Sequence, residues 1–164
     1  MKRKYLILFS LAGFVLCCDQ LTKHLVHRIL ELNAKLPLVA DCFDLTYLRN
    51  TGFGFGLLAR APDSLKEIFF IGVPVFSLIL IVLIFIKLQD DQLETSIALT
   101  TILGGAIGNL IDRIEHGYVI DFLSFHWHGH YLPAFNFADC SILFGVALMF
   151  LNTWRLPSQE ASNA

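Results

Sequence analysis

The sequence predicts an α-helical polytopic membrane protein with four transmembrane helices and a small extracytoplasmic β element between the first two. Three observations carry this. Hydrophobic residues make up 55% of the chain and charged residues only 16%, well below the quarter usual in soluble domains. Mean hydropathy is +0.64. Four apolar stretches, approximately 5–22, 68–88, 95–114 and 138–154, come close to the roughly 20 helical residues that cross about 30 Å of hydrocarbon. Four such runs in 164 residues leave too little polar surface to cover them in water.

Met1-Lys2-Arg3-Lys4 and the apolar run after it imitate a signal peptide, and Val15-Leu16-Cys17-Cys18 imitates a lipid-attachment box. A processing site wants a small residue before the cysteine, where Leu16 is bulky. The run also continues into Asp19-Gln20-Leu21-Thr22-Lys23, so it reads as a retained first span. Lys2, Arg3 and Lys4 keep the N-terminus in the cytoplasm. Four spans then return the C-terminus to that side, with Trp154 and Arg155 as an inner interfacial anchor and Lys87 at the inner end of the second span. The connection 89–94 falls inside, and the longer segments 24–67 and 115–137 fall outside, although Lys35, Arg49 and Arg60 dilute the charge bias.

Within the first outer segment, Phe43-Asp44-Leu45-Thr46-Tyr47-Leu48 alternates like a short strand. The glycine-rich stretch 50–56 offers a turn into a second strand, the whole lying on the outer bilayer surface. Ser64-Leu65-Lys66-Glu67 has capping-box spacing at the start of the second span. Pro74 inside that span is tolerable where neighbouring helices satisfy the freed carbonyl. Gly104 and Gly108 stand in GxxxG spacing and read as a packing surface. Residues 1–156 read as one membrane domain, followed by a loose cytoplasmic tail, 157–164.

This topology gathers four distant aspartates, Asp19, Asp112, Asp121 and Asp139, at the outer membrane boundary. A carboxylate beside hydrocarbon is costly and marks a candidate site. Two carboxyls held close cannot both ionise easily, so such a pair shares a proton near neutrality. Its charged member can activate water while its neutral member protonates the reacting carbonyl or leaving amine. Asp121, flanked by Ile120 and Phe122, has the weakest structural excuse. Asp139 has one, because Asn136 and Asp139 suit the first turn of the fourth helix as caps. Asn109 and Asp112, three apart, read as a structural pair with Arg113 as counter-ion, and Asp19 as an anchoring residue.

Other chemistries are thin. No His-Glu-x-x-His is present, and His126-Trp127-His128-Gly129-His130 reads as an exposed turn, so no metal and no cofactor is assigned. Cys17 and Cys18 fall within the membrane, which leaves no disulfide framework beyond an unsupported Cys42–Cys140 pairing. A net charge of −2 carries no nucleic-acid signal.

Asp19-Gln20-Leu21-Thr22-Lys23, Arg49-Asn50-Thr51-Gly52, Gly104-Gly105-Ala106-Ile107-Gly108-Asn109-Leu110-Ile111-Asp112-Arg113, Val119-Ile120-Asp121-Phe122 and Phe135-Asn136-Phe137-Ala138-Asp139 resemble, in order, the signature blocks of bacterial lipoprotein signal peptidase (signal peptidase II). The resemblance implies an aspartic peptidase of the bacterial inner membrane that cuts diacylglyceryl-modified prolipoproteins before the modified cysteine. It implies a dyad of Asp121 and Asp139, supported by Asp19, Asn50, Gly52, Asn109, Asp112, Arg113 and Asn136. Partners implied are the prolipoproteins, membrane lipid and globomycin-type cyclic peptide inhibitors. The chain departs from the family pattern at Phe53-Gly54, where Ala-Ala is usual, and at Cys140, where Ser is common. Two readings from other classes compete. A proton-coupled transporter would use the same aspartates with a polar path to the cytoplasm, which spans two and four lack below their outer ends. A membrane scaffold would need no proteolysis.

Overall fold

The computed structural model describes residues 2–52, 62, 65–66 and 68–160, with side chains as far as 154. Four helices are long and apolar enough to cross a membrane, at the positions expected. Helix α1 spans Arg3–Ile29, α2 Val73–Lys87, α3 Leu93–His116 and α4 Phe137–Glu160. At 1.5 Å per residue α1 is about 40 Å long, more than the ~30 Å of hydrocarbon requires. The backbone of α4 continues through Pro157 to Glu160, into the stretch expected to be a loose tail.

Helix α2 is entered through a π-helical turn, Ile68–Gly72. Pro74 lies inside the Ile68–Lys87 span as expected, at the first positions of α2, where its missing N–H costs little. Ser64 and Glu67, the ends of the expected capping box, lie outside the described residues, as does Phe53-Gly54.

Helix α3 is the centre of the bundle, and its small residues set the spacing. A Cβ at Gly104 would lie 2.9 Å from the Val15 Cβ of α1. One at Gly108 would collide with the Asp19 carboxylate, and one at Gly105 with the Ala138 carbonyl oxygen of α4. The GxxxG pair thus packs on α1, while Gly105 serves α4. A backbone carbonyl can yield only if the helices separate, so Gly105→Ala is expected to lower stability by about 1–3 kcal/mol. Thermal unfolding in detergent measures this, and an unchanged midpoint would show that the interface is looser than drawn.

At one end of the bundle Lys4 is buried, and its Nζ donates to the carbonyls of Ile86 (2.9 Å) and Leu88 (2.6 Å), closing the end of α2. Asn152 Nδ2 donates to Thr95 Oγ1 (3.0 Å), joining α4 to the start of α3. The opposite end carries an antiparallel sheet in the order β1-β2-β3-β4, made of Lys35–Val39, Phe43–Asn50, Val119–Trp127 and His130–Tyr131. The strand expected at 43–48 is β2. Its partners are β1 and β3, and β3 comes from the connection between α3 and α4. The glycine-rich stretch expected to lead into a second strand lies beyond residue 52, outside the described residues.

Strands β3 and β4 are joined by His128 (φ 48°) and Gly129 (φ 80°), a two-residue left-handed turn whose twist matches that of the strands. A small core of Val26, Tyr47, Ile120 and Phe122 fastens the sheet to the C-terminal end of α1. The pairings Leu48↔Asp121 and Asn50↔Val119 bring Asn50 and Asp121 to the root of the sheet, directly above the helices.

Candidate active site

Asn136 and Asp139 open α4 as a reciprocal cap. The Asp139 N–H donates to Asn136 Oδ1 (2.9 Å), and the Asn136 N–H donates to Asp139 Oδ2 (3.1 Å). This is the capping role expected of the pair, with Asp in place of the usual Glu. The other oxygen of Asp139 points away from the cap and accepts from Asn109 Nδ2 of α3 (2.8 Å). Asp121, buried on β3, accepts from Asn50 Nδ2 at Oδ2 (2.9 Å) and from Asn136 Nδ2 at Oδ1 (2.7 Å).

Each of the four carboxylate oxygens thus has an amide donor, and three asparagines supply three of them. Their orientations are fixed by their second contacts. Asn136 Nδ2 also reaches Asn109 Oδ1 (3.1 Å), and Asn50 Oδ1 accepts from the N–H of Gly52 (2.8 Å). Gly52 holds that turn at φ 76°, and a Cβ there would lie 2.7 Å from the Phe70 ring. Gly52 therefore acts through Asn50, by setting which end of the amide faces Asp121.

Beneath the pair lies an ionic knot. Lys23 is 2% exposed, and its Nζ lies 2.8 Å from Asp19, 2.9 Å from Asp112 and 3.0 Å from Asn109 Oδ1. Asp19 Oδ1 accepts the N–H of Ala138 (2.9 Å), and Asp112 Oδ2 accepts the N–H of Ile120 (3.0 Å). Gln20 Nε2 bridges Asp19 (3.2 Å) and Asp112 (3.0 Å). Asp19 and Asp112 thus tie down the residues next to Asp139 and Asp121. The expected direct pairing of Asn109 with Asp112 is corrected: the two meet at Lys23. The guanidinium of Arg113 lies over the Phe70 ring (5.2 Å), in the field of Asp139, Asp112 and Asp121. Arg113 Nε is buried with no acceptor among the described residues.

Sequence reasoning assigned Lys23 no role. The i,i+4 spacing of Asp19 and Lys23 at a span's outer end was the available signal. His126 Nε2 lies 3.2 Å from Asp44 Oδ2, far along β3 from the aspartates. Cys17, Cys18, Cys42 and Cys140 are all thiols.

Burial pushes the Asp121 carboxyl up to about 6. The nearby Asp139 charge adds to this, and the Asn50 and Asn136 hydrogen bonds oppose it. A carboxyl raised above its unfolded value favours the folded state below about pH 4, and that contribution is lost as pH rises through 6. Asp121→Asn avoids the cost of ionisation. Its stability relative to wild type is therefore expected to improve by up to about 3 kcal/mol between pH 4 and pH 8. Melting curves of both proteins across that range measure it, and parallel curves would contradict the raised carboxyl.

The family model described as signal peptidase (SPase) II matches residues 11–155. The chain belongs to the signal peptidase II family. It is 41% identical to the lipoprotein signal peptidase of Syntrophotalea carbinolica over 93% of each chain. It is 43% identical to that of Geobacter metallireducens over 94% of each. A solved bacterial membrane enzyme, determined by the in meso method at 1.9 Å resolution, superposes with a TM-score of 0.78 at 31% identity. That match covers 92% of this chain and 91% of the other. A signal peptidase II chain is a membrane-embedded hydrolase, and the multi-pass bundle described above is its scaffold.

Proposed function

We propose that this chain is an intramembrane aspartic endopeptidase that removes signal peptides from diacylglyceryl-modified prolipoproteins, cutting on the N-terminal side of the modified cysteine, with Asp121 and Asp139 as its dyad. The observation that carries the assignment is the pair of carboxylates converging on Asn136, from β3 and from the first turn of α4. Asp139 is cast as the base, anchored by the Asn136 N–H at the start of α4. Asp121, whose carboxyl burial pushes up to about 6, is cast as the acid of the pair.

Asp139 takes a proton from water as the water oxygen bonds to the scissile carbonyl carbon, and Asp121 protonates the carbonyl oxygen. The C–N bond then breaks, with the amine taking the proton from Asp139 and Asp121 recovering its own. Arg113, with its unpaired buried Nε, and Asn50 hold the substrate backbone beside the pair. The acyl chains of the modified cysteine stay in the bilayer, so the substrate search is two-dimensional.

In this reading both termini are cytoplasmic and the site lies near the outer face, on the strength of Lys2, Arg3 and Lys4. A C-terminal fluorescent-protein fusion is expected to glow in the cytoplasm, and a C-terminal alkaline phosphatase fusion to stay inactive; the reverse pattern inverts the topology. Globomycin-type cyclic peptides are expected to block cleavage.

The deciding assay uses purified full-length protein in detergent on a diacylglyceryl-modified prolipoprotein. Cleavage before the modified cysteine, lost in folded Asp121→Asn and Asp139→Asn, is the expected result. Undiminished cleavage in either variant would move the chemistry elsewhere, with Asp112 the next candidate. Inert but folded wild type would return the reading to transport or scaffolding.

A further inference from the structure

The far end of the sheet holds a cavity that the peptidase reading does not use. It measures about 790 Å³ and lies between the β1–β2 turn and the β3–β4 hairpin, within the range of roughly 300–1,000 Å³ usual for ligand sites. Its walls are Cys42, Phe125, Trp127 and Leu132, with His126, His128 and His130 around it. Trp127 is 73% exposed and Leu132 63%, a large apolar display for a surface facing water.

The display is continuous with the lipid-facing side of the bundle. Leu21, Leu25 and Ile29 form an exposed fourth-residue stripe along the C-terminal end of α1. Leu32 extends it, and Leu36, Leu38 and Val39 carry it along β1, every residue of which is exposed. An apolar edge strand left in water invites aggregation. Here it adjoins a surface already solvated by lipid. The two sheet edges meet where Lys35 of β1 sets its ammonium 4.4 Å from the Tyr131 ring centroid of β4, so the stripe and the cavity rim are joined. Tyr131, Trp127 and Lys35 are also the residue types that settle at the headgroup boundary.

We propose that the sheet tip dips into the adjoining leaflet and that the cavity takes an acyl chain of a membrane phospholipid, with Trp127 among the lipid tails and the three histidines at headgroup level. This rests on the chain spanning the bilayer, but not on its peptidase activity. Bound lipid would hold the sheet, and with it Asn50 and Asp121 at its root, at a fixed depth.

Trp127 and Trp154 are the two tryptophans of the chain, so Trp154→Phe leaves Trp127 as the sole emitter. Full-length Trp154→Phe protein would be reconstituted in phosphatidylcholine–phosphatidylglycerol vesicles with bromine near the middle of the acyl chains. The bromines are expected to quench Trp127 by roughly half or more relative to unbrominated vesicles, and aqueous iodide to quench it little. Adding Cys42→Phe narrows the cavity and is expected to relieve the part of the bromine quenching that comes from the bound chain, leaving the part from the surrounding tails. Strong iodide quenching with none from bromine would overturn the immersion. Bromine quenching that Cys42→Phe leaves unchanged would overturn the cavity as the acyl site. Prolipoprotein cleavage by the same Trp154→Phe protein is read separately, so failure of either reading leaves the other intact.

Discussion

Cleavage by Asp121→Asn and by Asp139→Asn is expected to fall on the order of 10³-fold or more, and the double variant to be no worse than either single one. The two carboxyls share one proton cycle, so removing either member ends it. Asparagine keeps the volume and much of the hydrogen bonding, which separates chemistry from folding. At position 139 it retains an oxygen for the N–H of Asn136, so the start of α4 is expected to survive. At position 121 its amide nitrogen faces one of two incoming donors, from Asn50 or Asn136, and one of those contacts must rotate away. Single-turnover cleavage with folded protein measures both losses. Losses that multiply in the double variant would mean that the two residues act in separate steps.

Lys23→Met is expected to lower stability by about 3–5 kcal/mol, the cost of leaving buried charges without their partner. Its ammonium is the one ion-pair partner of Asp19 and Asp112 among the described residues, and both carboxylates are almost completely buried. The loss should shrink at low pH, where the stranded carboxylates take up protons. Adding Asp112→Asn should restore part of it by removing one of the two unpaired charges. Melting midpoints of the single and double variants against pH measure this. A pH-independent loss would mean that Lys23 acts through the packing of its stem. Activity should fall further than stability alone accounts for, because Asn109 loses one of the two donors that orient it toward Asp139.

The four spans were legible because hydrocarbon demands long apolar runs, and nothing else in the chain supplies them. The sheet was only half legible. Alternation betrayed Phe43–Asn50, but β1 carries Pro37 and exposes every residue, so no period marks it. Val119–Phe122 is buried on both faces and also has no period. Its strand character comes from pairing with β2, over 60 positions earlier in the sequence.

The aspartates were legible by a different route, since counting membrane crossings places them together without any knowledge of side-chain geometry. What that count cannot supply is the partner of each charge. Arg113 follows Asp112 directly and read as its counter-ion, but it also faces the charges of Asp139 and Asp121. Lys23, at the edge of a span, drew no role from the sequence, although α1 carries it inward against α3.

The i,i+4 contact between Asp19 and Lys23 bears on how the protein is made. Helix α1 leaves the ribosome before α3 and α4, so before Asp112 and Ala138 exist to bind its polar residues. Because the acid and the base sit one turn apart on the same helix, α1 enters the membrane carrying its own counter-ion. When α3 and α4 follow, that self-neutralised turn is already at the right depth. The later helices are assembled onto a polar nucleus that the first one brought with it.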